Sequence, residues 1–135
     1  MREAIDMRDI LFRGKRADTG EWIEGFYGEC YDFKANAHPA IREKNNDYWK
    51  AVIPESVSQY TGKNDKSGRR IFSKDIVTIC GAHNFYGEVD YSDESASYWV
   101  SSDRLEYYIQ LGEMKSEFIK VVGNAIDNPE MLEGK

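Results

Sequence analysis

A turn-rich hairpin that runs directly into a short apolar strand, PESVSQYTGKNDKSGRRIFSKDIV at residues 54–77, is the feature that most constrains the fold. Asn64-Asp-Lys-Ser-Gly68 supplies the hairpin loop, because glycine readily adopts the positive φ that a bulged turn requires. Residues 70–72 and 75–80 are strand-like and are separated only by Ser73-Lys74, so the chain has to turn a tight corner there. This spacing predicts strands joined with almost no slack.

Alternating polar and apolar residues predict further strands along the chain. Residues 10–15 and 21–27 form a predicted hairpin around the turn Asp18-Thr-Gly20. Residues 56–61 fit either a strand or one helical turn, and residues 104–111 fit either a helix or a strand. The other predicted strands are residues 48–53, 87–91, 98–101 and 118–126.

Two segments lack a clear period. Residues 1–9 mix charged and apolar side chains, which fits either a flexible arm or an edge strand. Residues 30–47 are polar and contain Pro39, so we interpret them as a loop or an insertion. The overall pattern predicts one mainly β domain over residues 1–135, built as a small, partly open SH3-like barrel with little helix, in which residues 75–79 pair with residues 87–89.

Composition limits the function classes. The chain has 135 residues, of which 41% are hydrophobic and 31% charged, and this is enough for one core beneath a polar surface. No apolar run is long enough to cross a bilayer, and the start MREAIDMRD lacks the apolar region of a signal peptide, so we expect a cytoplasmic protein. The net charge of −6 disfavours indiscriminate binding to polyanions.

Metal and catalytic patterns are weak. Cys80-Gly-Ala-His83 with Cys30 and His38 is the only zinc-like set, and it lacks a matched second knuckle. Both cysteines are therefore expected to be free thiols in a reducing compartment. A calcium loop over residues 63–74 would place lysine at its first and last ligand positions, which excludes it. No nucleophile elbow, phosphate loop or HExxH motif is present, so we expect no enzyme activity, metal or cofactor.

Basic residues cluster around the central hairpin, and aromatic residues lie beside them. Phosphate contacts and base stacking on such a surface are typical of single-stranded nucleic-acid binding. The acidic remainder of the chain favours a solvated hairpin rim instead. The candidate contact residues of this alternative function are Tyr60, Lys63, Lys66, Arg69, Arg70 and Phe72.

FRGK at residues 12–15, GEW at residues 20–22, the central hairpin and VVGNAIDNPEML at residues 121–132 together resemble the YopX family of phage and prophage proteins. The resemblance covers most of the chain outside residues 30–47, and Ser58 stands where relatives would carry glycine. It implies structural roles for its motif residues. Independently of the resemblance, the corner before residues 76–79 predicts that the Asp75 carboxylate caps nearby backbone amides. The candidate structural residues are Trp22, Gly62, Asp65, Gly68, Asp75, Gly123, Asn124 and Pro129.

The family is known mainly as phage-borne proteins without an assigned activity. The resemblance therefore implies an accessory protein in the bacterial host's cytoplasm, and we expect a non-enzymatic, self-associating module that binds a host or phage macromolecule. Nine tyrosines and three tryptophans exceed what one small core needs, and such residues anchor interfaces. We accordingly expect a homo-oligomer in which at least one of Trp22, Trp49 and Trp99 lies at a subunit contact.

Overall fold

The computed structural model describes residues 9–80, 85–102 and 108–133, and these residues form two antiparallel sheets. The first sheet has the order β4-β3-β2-β1-β5-β6, and the second has the order β10-β9-β8-β7-β11. The first sheet contains β1 (Phe12–Lys15), β2 (Trp22–Tyr31), β3 (Ala37–Arg42), β4 (Lys50–Ala51), β5 (Ser58–Asn64) and β6 (Arg70–Phe72). The second contains β7 (Asp75–Ile79), β8 (Gly87–Ser92), β9 (Ser97–Ser101), β10 (Ile109–Gln110) and β11 (Ile119–Asn124).

Helical structure within the described residues is limited to short 3₁₀ helices. They span Pro54–Ser56, Leu111–Glu113, Ser116–Phe118 and Pro129–Leu132. Across the described ranges no helix is long and apolar enough to span a membrane. The predicted mainly β fold with little helix is confirmed.

The two sheets are not closed into a barrel. The end of β4 returns to the first hairpin through a bridge between Arg16 and Val52, while β1 continues the sheet by pairing with β5. The predicted pairing of residues 75–79 with residues 87–89 is confirmed, because Val77 lies opposite Gly87. The partly open character of the fold is thus present, and its SH3-like arrangement stays a prediction.

The corner between β6 and β7 is where the chain leaves the first sheet for the second. Lys74 has a φ of 71°, and this left-handed conformation is fixed by hydrogen bonds from its N–H to the Val89 carbonyl and from the Ala125 N–H to its own carbonyl. The Asp75 carboxylate accepts the Phe72 N–H at 2.8 Å, so the predicted capping role is confirmed. Two residues therefore bring the sheets together without slack.

The prediction that residues 30–47 form a loop or an insertion is wrong for much of the segment, which contains strand structure. Strand β2 continues to Tyr31, and β3 pairs with it from Ala37 to Arg42. Pro39 is accommodated in β3, where its carbonyl accepts the Val52 N–H at 3.0 Å. Most side chains at this end are exposed on both faces, so the hydrophobic alternation that signals a strand is lost.

The structure also decides between strand and helix in two segments whose sequence fits either. Residues 56–61 contribute mainly to strand β5 rather than to a helical turn. In the segment 104–111, Ile109–Gln110 form a strand, while residues 103–107 lie outside the described residues. Residues 1–8 of the predicted arm or edge strand also lie outside them.

Two separate apolar clusters support the sheets. The larger lies on the second sheet and is joined by Ile71 of β6, while the smaller joins Ile23, Ile41 and Val52 of the first sheet. The remaining members of the larger cluster are Val77, Val89, Val100, Leu111, Ile119 and Val121. The smaller cluster covers one face of the first sheet, and the opposite face carries polar side chains such as Arg13 and Glu24.

Candidate binding cleft between the two sheets

A cleft of about 770 Å³ lies where β6, an edge of the first sheet, approaches β11, an edge of the second. Three distant parts of the sequence line it: the β1–β2 hairpin, the β5–β6 hairpin, and β11 with the turn that follows. Its principal lining residues are Asp9, Arg13, Trp22, Glu24, Tyr60, Asn64, Arg69, Arg70, Phe72, Asn124, Asp127 and Asn128. Polar, charged and aromatic side chains therefore share one concave surface.

The floor of the cleft is built on Arg13, which is only 7% exposed. Its Nη2 lies 2.7 Å from Asp75 Oδ1, and its Nε donates a hydrogen bond to Ser58 Oγ at 3.1 Å. The guanidinium carbon lies 4.8 Å from the ring centroids of both Trp22 and Phe72. A buried ion pair and two aromatic faces thus fix the cation in place.

One wall is formed by the turn after β11. Asp127 accepts hydrogen bonds from Lys15 Nζ at 2.8 Å and Trp22 Nε1 at 2.7 Å. The hydrogen bond from Lys15, followed by that from Trp22, lowers the pKa of Asp127 below its ordinary value. Asn124 Oδ1 accepts the Asp127 N–H at 2.8 Å, so the backbone of Asp127 is held as well as its carboxylate.

Gly123 lets the strand and the turn of this wall pack closely. A β-carbon there would lie 2.6 Å from Asn128 Oδ1, a separation that needs the side chain to move. Asn128 Oδ1 accepts the Asn124 N–H at 3.2 Å. The glycine therefore allows the strand and the following turn to approach closely, as its predicted structural role implied.

The opposite wall comes from the first sheet. Arg70 Nη1 lies 3.2 Å from Glu24 Oε1, and the Arg70 guanidinium lies 5.9 Å from the Tyr60 ring centroid. The Tyr60 hydroxyl donates a hydrogen bond to Asn64 Oδ1. Burial raises the pKa of Tyr60, and Arg70 partly opposes this shift. This wall is therefore also organised before any ligand arrives.

Arg69 is the exception among the cleft's arginines. Its backbone N–H donates to Asp65 Oδ1 at 3.0 Å, but its guanidinium forms no ion pair or side-chain hydrogen bond within residues 9–80, 85–102 and 108–133. The other cations near the cleft, Arg13, Lys15 and Arg70, are each paired with a carboxylate. The cleft thus carries one exposed cation that has no ion pair among the described residues, although its charge helps to lower the pKa of the buried Asp65 and opposes the rise that burial causes in the pKa of Asp75.

The structure divides the residues predicted to contact nucleic acid. Tyr60, Arg69, Arg70 and Phe72 line the same cleft, but Lys63 and Lys66 do not line it. Lys66 instead places its Nζ 3.7 Å from Cys80 Sγ. Phe72 is 1% exposed beneath Arg13, so its ring is not available for stacking on a base.

The predicted structural residues gather around the cleft more closely than their separation in sequence suggests. Trp22, Gly68, Gly123 and Asn124 line it, and Asp75 supports its floor through Arg13. Asp65 is buried in the hairpin loop beside it. Gly62 and Gly68 adopt φ values of 91° and 82°, and Pro129 begins the last 3₁₀ helix.

Sequence reasoning missed several lining residues, above all Arg13 and Asp127. It placed Arg13 within the family-like FRGK motif but assigned it no role in a site. Strand alternation offered a better signal, because Arg13 lies opposite Glu24 and therefore shares a face with Trp22 and Glu24. Asp127 lay within the family-like ending, but its pairing with Lys15 spans most of the chain.

The weak metal and thiol patterns do not converge in the described part of the chain. Among those residues, no group of three or more His, Cys, Asp or Glu side chains is placed to hold a metal ion. Cys30 and Cys80 are free. His38 Nε2 lies 2.9 Å from an Asp32 carboxylate oxygen, and His83 lies outside the described residues.

A second surface stands out at the far end of strands β2 to β4, and we call it the aromatic hairpin surface. The Trp49 ring packs against Gly28, where a β-carbon would approach the ring to 2.7 Å. The Arg42 guanidinium lies 5.1 Å from the ring centroid of Phe26 and 5.5 Å from that of Trp49. By contrast, Trp22 and Trp99 are partly buried. The exposed aromatic side chains at this end lie on both faces of the sheet, because Phe26 and Tyr27 are adjacent in β2 and point to opposite faces. They are Phe26, Tyr27, Tyr31, Phe33, Tyr48 and Trp49.

Comparisons with known proteins agree with this architecture. The YopX protein family model matches residues 11–133. Protein EF1440 from Enterococcus faecalis has a similar structure, with a TM-score of 0.56 and 21% identity over 94% of this chain and 100% of that one. Protein yopX from Bacillus subtilis is similar with a TM-score of 0.55 and 14% identity, over 96% and 99% of the two chains. No curated protein sequence matches the chain.

Proposed function

We propose, given that the chain belongs to the YopX family, that it is a phage or prophage accessory protein acting as a non-enzymatic binding module. Its cleft between the two sheets receives a segment of a host or phage protein. The observation that carries this proposal is the prior organisation of the cleft, whose aromatic and charged side chains already hold one another through ion pairs, stacking and hydrogen bonds. Such order reduces the entropy lost on binding.

The size and chemistry of the cleft suit recognition of a short segment. Its volume of about 770 Å³ falls within the usual range of ligand sites. Arg13, Lys15 and Arg70 are paired with Asp75, Asp127 and Glu24, respectively. These groups can position a partner while each keeps its own counter-charge.

A protein segment fits the cleft better than a nucleic-acid strand. The carboxylates of Glu24 and Asp127 line the walls and would repel successive phosphates. Phe72 is buried, which removes one of the two predicted stacking platforms. Single-stranded nucleic acid remains the competing partner, and binding driven by phosphates would weaken steeply as salt is raised.

Affinity capture from infected host cells tests the proposal when it is paired with a variant that fills the cleft. Asn64→Trp places a large ring at an exposed strand position on the rim, and Lys120→Trp introduces the same ring on β11 away from the lining residues. We expect one protein to be captured by the wild type and by Lys120→Trp and to be lost with Asn64→Trp. The purified partner should then bind the wild type directly.

Capture that is equal with all three proteins would contradict the proposed site. So would retention of single-stranded DNA that falls with salt and is abolished by Asn64→Trp, with no protein partner found. Circular dichroism of each variant establishes that the fold is kept.

We also propose that the module self-associates through the aromatic hairpin surface, with a second copy of the chain as its occupant. Six large exposed aromatic side chains at one end favour this contact. Tyr31→Ser should reduce the mass measured by light scattering at micromolar concentration, at both low and high salt, since apolar contacts are not screened. Tyr108→Ser is the matched control, because Tyr31 is 68% and Tyr108 69% exposed. A monomeric wild type throughout the salt series would refute self-association.

A further inference from the structure

We infer that the cleft recognises a carboxylate side chain on the bound protein segment, and that Arg69 is the residue that anchors it. This inference rests on the proposed function of the cleft. Arg69 lines the cleft and is exposed, and its guanidinium is unpaired among the described residues. A guanidinium presents two parallel N–H donors to a carboxylate, which gives both strength and orientation.

Two side-chain amides that line the cleft with Arg69 keep N–H donors that the described part of the chain leaves unused. The Oδ1 atoms of Asn64 and Asn128 already accept hydrogen bonds, from the Tyr60 hydroxyl and the Asn124 N–H, respectively. Neither side-chain NH₂ group donates a hydrogen bond within the described residues. Both amides line the cleft, so the ligand atoms that complete this site are acceptors.

Arg13 gives the floor a fixed shape, because its charge is already paired with Asp75. Arg13 is nine-tenths buried, lines the cleft, and is held by Asp75, Ser58 and two aromatic rings. A mobile cation would have to be ordered on binding, whereas this one is already fixed. The cleft therefore has a rigid arginine, Arg13, at its floor and an arginine without an ion pair in the described ranges, Arg69, at its rim.

One carboxylate matches this charge better than a chain of phosphates. Arg69 is the one cation of the cleft without an ion pair among the described residues, and the carboxylates of Asp9, Glu24 and Asp127 also line the cleft. Each further anionic group on the ligand would meet these fixed negative charges. A segment with one acidic side chain among neutral residues is therefore the expected ligand.

Nuclear magnetic resonance of the whole protein can test this with two capped pentapeptides, Ala-Ala-Glu-Ala-Ala and Ala-Ala-Gln-Ala-Ala. The Glu peptide should shift the Arg69 Nε–H and Trp22 Nε1–H signals to saturation, and the Gln peptide should bind at least about tenfold more weakly. Arg69→Gln should abolish the preference for the Glu peptide. Lys120→Gln, which removes an exposed cation outside the cleft, should preserve it.

Equal binding of the two peptides would overturn the inference, as would a preference that survives Arg69→Gln. Binding of a short oligothymidylate at the same signals, with no response to the Glu peptide, would also overturn it and favour nucleic acid. The inference and the proposed function can fail separately. If the captured partner is lost with Asn64→Trp but kept by Arg69→Gln, the cleft is still the binding site and only the recognition of a carboxylate by Arg69 is refuted.

Discussion

The two neighbouring turns around Asp65 and Asp75 each bury a carboxylate, but they stabilise it by different means. Asp65 lies in the β5–β6 loop and is 5% exposed, while Asp75 lies at the β6–β7 corner and is 1% exposed. Asp65 accepts three backbone N–H groups, from Ser67, Arg69 and Val121. Asp75 accepts one, from Phe72, and otherwise relies on the Arg13 side chain.

The directions of the two pKa shifts follow from this difference. Burial acts to raise the pKa of Asp65, but the hydrogen bonds from Val121, Arg69 and Ser67 outweigh it and hold the pKa below its ordinary value. At Asp75 burial prevails and raises the pKa, although Arg13 and the Phe72 N–H oppose it. Asp65 is thus held by backbone N–H groups, two in its own turn and one on β11, whereas Asp75 depends on a side chain of the cleft floor.

The largest effect should follow from removing Asp75. Asp75→Ala leaves Arg13 as a buried cation without its carboxylate, and we expect a loss of about 3–5 kcal/mol in the free energy of unfolding. Urea denaturation measures this loss. The double variant Arg13→Met with Asp75→Asn should lose less than Asp75→Ala alone, because it removes the unpaired charge. A loss below about 1 kcal/mol for Asp75→Ala would contradict the dependence on Arg13.

Removing Asp65 should cost somewhat less. Asp65→Ala leaves three backbone N–H groups without their acceptor, for an expected loss of about 2–4 kcal/mol. Asp65→Asn keeps one acceptor oxygen and should fall between the wild type and the alanine variant. Urea denaturation at pH 7 orders the three proteins. Equal stability of the asparagine variant and the wild type would show that the charge is unimportant there.

As pH falls, the contribution of Asp65 to the stability of the fold should decrease and that of Asp75 should increase. Because the folded pKa of Asp65 lies below its ordinary value of 3.8, its stabilisation is present above that pH and is lost as pH falls through the folded pKa. The folded pKa of Asp75 lies above 3.8, so the wild type gains stability at that site as pH falls from the folded pKa toward 3.8.

Urea unfolding from pH 7 to pH 3 tests both directions. The stability of the wild type relative to Asp65→Asn should fall with acidification, and its stability relative to Asp75→Asn should rise. Two changes of the same sign would contradict the contrast between the turns.

The smallest effect should come from the pair of carboxylates Glu88 and Asp90, which has, in the described part of the chain, neither the backbone donors of Asp65 nor the arginine partner of Asp75. Burial first, and then Asp90, raises the pKa of Glu88, and burial also raises the pKa of Asp90. Glu88→Gln should therefore stabilise the protein at pH 7 by less than about 1 kcal/mol, since both side chains are partly solvated. Glu29→Gln, at an exposed position on β2, is the control. A destabilised Glu88→Gln variant would show that the pair is favourable.

The sequence predicted those elements in which one face is buried. Residues 75–79 and the core of residues 118–126 carry apolar side chains that their neighbours cover, and both are strands. Strand β3 was missed because its outer residues are exposed on both faces, which leaves only polar composition to read. Periodicity reports burial, so it does not detect a strand that buries little.

The cleft was only half visible in the sequence. Gly68, Gly123 and Asn124 were predicted as structural residues, and the hairpin cations were predicted as a group. The floor was not recognised, because the Arg13–Asp75 pair joins residues on different sheets and leaves no local pattern. Pairings across such separations depend on how the sheets approach each other, which local propensity does not specify.

The order of the strands has a consequence for synthesis. All strands of the first sheet precede Ser73, and all strands of the second follow Lys74. A nascent chain therefore contains Arg13 and Trp22 well before the carboxylate that neutralises the arginine has been made. At about 5–20 residues per second, Asp75 is added roughly 3–12 s after Arg13, and Asp127 later still. A chain released early from the ribosome would carry the first sheet without a finished floor, so only completed translation products can offer the cleft to a partner.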